Sequence, residues 1–163
     1  MSKSFDLRFD FCISEEEFIS SLGNDTLIKL ENELKLKGIT TCLGCGYNPK
    51  DVSKLQIHIT NSIINHPIES VYLCPPCHCL KHFNVAAKNE WVVLVNSIFS
   101  QETLVSICRS GNAQLKKMIG ENKIFLLKKT AKEYSDELIL DRSNRDDKIK
   151  AIFGSKFNWL NTR

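Results

Sequence analysis

Two short-spaced cysteine pairs constrain this chain more than any other feature. Cys42-x2-Cys45 and Cys74-x2-Cys77 are separated by 28 residues. Tetrahedral zinc takes four thiolates around one point, and each Cys-x2-Cys turn supplies one edge of that tetrahedron. The chain between the pairs must therefore fold back until the two turns meet. Gly44 and Gly46 suit the first turn, where backbone N–H groups point toward sulfur. Pro75 and Pro76 stand where a helix can begin, because a missing N–H does little harm in a first turn. Cys77 is then delivered at a helix N-terminus, whose dipole favours a thiolate. Four cysteines leave no open coordination position, so a zinc ion here is a structural staple. An iron–sulfur cluster and disulfides are the alternatives for the same residues.

Compartment argues against disulfides. The opening Met1-Ser2-Lys3-Ser4-Phe5-Asp6 has no apolar signal core, which predicts an intracellular protein, cytoplasmic or nuclear. No apolar run approaches the ~20 residues of a membrane helix, so no membrane partner is expected. The 163 residues, 42% hydrophobic and 25% charged, suit one ordinary domain or a small domain with an appendage. Of the remaining cysteines, Cys12 and Cys108 sit among apolar neighbours and read as core, and Cys79 has no assigned role. All four histidines (His58, His66, His78 and His82) fall in the cysteine-rich stretch. His66 precedes Pro67 in a polar loop and reads as solvent-exposed.

A coarse pass places these residues on elements. Ser14 before Glu15-Glu16-Glu17 reads as a capping box, and Asp25 as the cap of a second helix closed by Gly38. Residues 40–48 form a tight turn, 55–59 alternate as a strand, 71–73 lead into the second pair, and 77–88 are helical. Residues 91–95 are a buried strand or short buried helix. Two helices, 101–109 and 113–121, flank Ser110-Gly111-Asn112. A strand at 124–127 and helices at 130–140 and 146–153 complete the chain. The fold class is α+β, a small zinc unit embedded in a mostly helical domain. Its organisation is an N-terminal helical segment (1–38), a zinc module (39–88) and a basic C-terminal region (89–163).

Leu55-Gln56-Ile57-His58-Ile59, followed by Val71-Tyr72-Leu73-Cys74-Pro75-Pro76-Cys77-His78, resembles the zinc-containing HNH nuclease family. The resemblance covers about residues 40–84 and is most specific at Leu73–His78 with its upstream cysteine pair. It implies a treble-clef ββα unit and a catalytic divalent ion, Mg2+ or Mn2+. It implies that His58 is the general base, that His78 is a ligand of the ion, and that His82 shares His78's helix face. Asn65 would orient the base. Read one residue over, His58 becomes the metal ligand and Ile59 takes the base position, which leaves the module inactive. The family's usual two adjacent polar residues are a single histidine here, and the nearest carboxylates are Asp51 and Glu69.

Net charge is +3, too mild to identify a nucleic-acid binder. Its distribution says more: residues 1–37 carry −3, 38–88 carry +2, and 89–163 carry +4. Within 109–132, seven basic residues stand against one acid, Glu121. The helix–glycine–helix there has helix-turn-helix proportions, and a plain solvated lysine face explains it equally well. On the first reading Arg109, Asn112, Gln114, Lys116, Lys117, Lys123, Lys128 and Lys129 contact nucleic acid, with DNA preferred. The sequence therefore supports a zinc-stapled nucleic-acid-binding protein that acts as a divalent-metal-dependent endonuclease. The alternative is an inactive zinc module that regulates by binding nucleic acid or protein. The acidic N-terminal helices would serve a homodimer or a protein partner.

Overall fold

A computed structural model of the chain describes residues 7–10, 23–61 and 69–158. The helix expected over 14–22, and Cys12, Asn65 and His66, lie outside those residues. Helix α1 (Asn24–Leu36) begins ahead of the expected Asp25 cap, with Gly23 at the N-cap and no side-chain cap bond. Its end is as the glycine predicts. Gly38, at φ +65°, donates its N–H to Lys35 O, and Ile39 donates to Leu34 O, a Schellman motif.

Strands β1 (Gln56–Asn61) and β2 (Glu69–Leu73) pair antiparallel, Gln56 opposite Leu73 and His58 opposite Val71. Successive side chains alternate across a strand, so Gln56 and His58 share one face and Ile57 and Ile59 the other. Cys74 then caps α2 (Pro75–Lys81). The pattern predicts one helix over 77–88, but the chain breaks at His82 (φ −121°, ψ 50°) and restarts as α3 (Phe83–Lys88). The cause is competition for backbone groups. Asp10 donates its N–H to Leu80 O and accepts the N–H of Phe83, so a distant carbonyl takes a donor that a continuous helix needs.

In the C-terminal half, β3 (Val92–Ser97) is the centre of an antiparallel sheet ordered β4–β3–β5, with β4 at Ile124–Leu126 and β5 at Ile149–Phe153. Helix α4 (Gln101–Ser110) is capped by Ser100, and Gly111 (φ +118°) separates it from α5 (Asn112–Gly120). Helix α6 (Ala131–Leu140) carries a full capping box between Thr130 and Glu133. The helix expected over 146–153 is instead β5. Asp146 Oδ1 accepts the Lys148 N–H in a local turn, and the apolar run that follows pairs along β3. An open sheet edge overrides a weak local helix signal. The fold is therefore α+β, with more sheet than expected. No described helix is long and apolar enough to cross a membrane.

The two halves share one core. Leu73, Leu80 and Phe83 belong to the same buried cluster as Val95, Leu104, Tyr134 and Ile152. Phe9 stacks on Phe83 with centroids 4.2 Å apart, and Tyr134 meets both edge-on.

Candidate metal centres

The first cysteine pair sits on a knuckle closed by its own backbone. Cys42 donates its N–H to Tyr47 O (2.8 Å), Gly46 donates to Cys42 O (2.9 Å), and Gly46 takes φ +75°. Leu43 donates to Tyr72 O (2.9 Å), which ties the knuckle to β2 and so to Cys74. The approach is close: a Cβ on Gly44 would lie 2.9 Å from Cys77 Sγ and 3.0 Å from Leu7 Cδ1.

The four sulfurs of Cys42, Cys45, Cys74 and Cys77 all lie within 4.8 Å of one another, with Cys45 and Cys74 3.6 Å apart. A tetrahedron with bonds of ~2.3 Å has edges of about 3.8 Å. A disulfide would need about 2.05 Å, and these thiols are free. The spacing fits ligands around one metal ion. Electrostatics agrees. Hydrogen bonds from Cys42, then Cys74 and Cys77, hold Cys45 well below the ordinary thiol range. Cys42 and Cys45 push Cys74 and Cys77 up. Crowded, buried thiols oppose one another's ionisation, and a divalent cation removes the conflict. Cys79 and Cys108 stand apart as core residues whose thiols are raised by burial.

A second group forms between β1 and α2 with the His82 break that ends it. His58, His78 and His82 each bring a ring nitrogen within 4.8 Å of the others. Ring centroids are 4.8–5.6 Å apart, and the Nε2 atoms of His78 and His82 are 3.1 Å apart. Nitrogen ligands at ~2.0–2.1 Å around one ion are separated by about 3.3 Å. Gln56 Oε1 lies 2.8 Å from His78 Nδ1. An amide oxygen only accepts, so Nδ1–H donates to it and Nε2 is the ring nitrogen turned to the group. His58 is 8% and His78 4% exposed, and His82 is half-buried. The three imidazoles come with no carboxylate among the described residues. Such donors suit Zn2+, Co2+ or Ni2+ better than Mg2+ or Mn2+, which favour oxygen ligands.

The expected basic surface is changed at its first member. Arg109 turns inward from the last turn of α4, with Nη2 2.9 Å from Cys74 Sγ and 3.8 Å from Cys45 Sγ. Asn112, Lys116, Lys117, Lys123, Lys128 and Lys129 are exposed and Gln114 is half-buried. Lys117 and Lys123 pair with Glu121, and Lys129 pairs with Glu137. A single residue, Gly111, joins α4 to α5, shorter than the three or four residues of a helix-turn-helix.

Sequence reasoning passed over Gln56, although its place two residues before His58 on an alternating strand puts it on the histidine face. It also missed the link from Arg109 to the cysteines, which spans 35 residues to Cys74 and has no local signal. Comparison with family models, curated proteins and solved structures finds no match.

Proposed function

We propose that this protein is a metal-dependent nuclease in which the four cysteines hold a structural zinc and His58, His78 and His82 hold the working ion. The β1–β2–α2 unit with its knuckle is then a treble-clef module of the HNH kind. The observation that carries the reading is the convergence of three histidines from a strand and a helix, beside a closed four-cysteine group. Three protein ligands leave coordination positions open to substrate, which four cysteines do not.

A divalent ion held there supplies Lewis acidity to a phosphodiester and acidifies a bound water. His58 acts as a ligand, because its ring lies with the other two. Ile59 faces the opposite side of β1 and offers no base, so this reading departs from the family's histidine-base chemistry and leaves activation of the water to the ion. His78 is oriented by Gln56, and half-buried His82 is the member nearest solvent. Exposed Lys116 and Lys128 are suited to phosphate contacts with nucleic acid, DNA being the expected substrate.

The second reading is a non-catalytic nucleic-acid-binding module, favoured by the burial of His58 and His78 and by a histidine group that, among the described residues, includes no carboxylate. One experiment separates the two. Purified protein is loaded with zinc, then with Mn2+, Co2+ or further Zn2+, and incubated with plasmid and single-stranded DNA. The nuclease reading expects two ions per chain and cleavage that falls at least about 10- to 100-fold in His58→Ala and His78→Ala, which keep one zinc. Salt-sensitive binding without cleavage under every metal establishes the second reading instead.

A further inference from the structure

We propose that Arg109 is a thiolate-capping residue of the four-cysteine site. Its guanidinium bonds the ligand sulfurs from outside the ion, balances part of their charge and fastens the C-terminal half to the knuckle. The inference rests on reading the four cysteines as a metal site.

Three observations converge. The first is contact: Nη2 is 2.9 Å from Cys74 Sγ and 3.8 Å from Cys45 Sγ, one ligand from each pair. The second is charge. Four thiolates around a divalent ion leave two negative charges, and Cys42, Cys74 and Cys77 are at most 1% exposed. A buried charge of that size is stabilised by a paired cation, and arginine is the more weakly hydrated choice. The third is orientation. The Arg109 guanidinium carbon lies 3.8 Å from the Tyr47 ring centroid, and Tyr47 is part of the knuckle, its carbonyl accepting from Cys42. The contact with the ring positions the guanidinium while Nη2 reaches sulfur, a pairing of planar cation and ring that a lysine ammonium does not reproduce.

The placement also explains why one residue reaches the site from so far along the chain. Leu104, Val105 and Cys108 on α4 are buried in the common core. Arg109 follows them at the end of the helix, so the core sets where its side chain begins. N–H bonds to a thiolate withdraw electron density from sulfur and lower its reactivity toward electrophiles. Half-buried Cys45 is the ligand that gains most from this protection.

The test uses the full chain loaded with zinc, in the wild type and in Arg109→Met, Arg109→Gln and Arg109→Lys. Competition with a chelator measures affinity, and a thiol-reactive disulfide reagent measures the rate of zinc release. We expect Arg109→Met to lose about 10- to 100-fold in affinity and to release zinc correspondingly faster, with Arg109→Lys recovering part of both. In cobalt-substituted protein the sulfur-to-cobalt charge-transfer bands should move to lower energy when the N–H bonds are removed, a change that a purely packing role would not produce. Unchanged affinity, release and band position in Arg109→Met overturn the proposal. Should the Met and Gln variants fail to fold, Arg109→Lys carries the band comparison, and an unshifted band overturns it equally. A wild type that binds no metal through its cysteines instead overturns the metal-site reading underneath.

Discussion

At Gly44 the two cysteine turns come within a methyl group of each other. A Cβ there would meet Cys77 Sγ at 2.9 Å, Cys77 Cβ at 3.0 Å and Leu7 Cδ1 at 3.0 Å. Cys77 and Leu7 are fully buried and cannot swing aside. Gly44→Ala is therefore expected to destabilise the zinc-loaded protein by about 1–3 kcal/mol, the cost of overpacking a tight site. Denaturant unfolding measures it, and an unchanged midpoint would show that the second pair can shift. At this scale much was legible. Side chains that could hold a metal come in short local spacings, so the four cysteines, and His78 with His82 four residues on, could be picked out by counting. Gln56 and Arg109 could not, because they act on those ligands only once the chain has folded back.

Elements were legible where their ends carry their own signals. Ser100 and Thr130 cap α4 and α6 with their own side chains, and Gly38 closes α1. The two failures share a cause. The break at His82 depends on Asp10, and β5 depends on the edge of β3, so each is decided by a partner far away in sequence. Gln101 shows the same dependence in one side chain. It sits buried in the first turn of α4, where it reads as an ordinary helix residue. Its Nε2 donates to Ala151 O at 2.8 Å and its Oε1 accepts the Ala151 N–H at 2.9 Å. An edge strand has one row of unpaired backbone groups, and Gln101 satisfies two of them on β5. Gln101→Leu preserves bulk but strands both groups in the core. It is expected to cost about 2–6 kcal/mol, from two unsatisfied buried groups at ~1–3 kcal/mol each. Thermal melting would reveal the loss, and a neutral result would mean that water reaches Ala151.

Charge and composition divide the chain at residues 38 and 88. Three links cross the later boundary. Arg109 bonds Cys74. The Phe9–Phe83 stack packs on Tyr134. Arg145 donates to Phe9 O at 2.6 Å. A composition profile follows the surface, and these links lie inside. Metal removal tests whether they act together. If the four cysteines hold zinc, its binding free energy is part of the folding free energy, and about 10 kcal/mol or more is typical of structural sites. Net stability of a domain is only ~5–15 kcal/mol. Chelation under reducing conditions is therefore expected to weaken amide protection across the whole chain, in α4 and in β3 and β5 as well as at residues 42–47 and 74–77. Lower pH should produce the same transition, since thiolates must take up protons as they release the ion. Hydrogen exchange followed by segment gives the answer. If the β4–β3–β5 sheet keeps its protection while the knuckle opens, the halves are independent and the common core does not transmit the loss. If the two lose protection together, the zinc site is a keystone for the surface that carries the basic helices and for the histidine group alike.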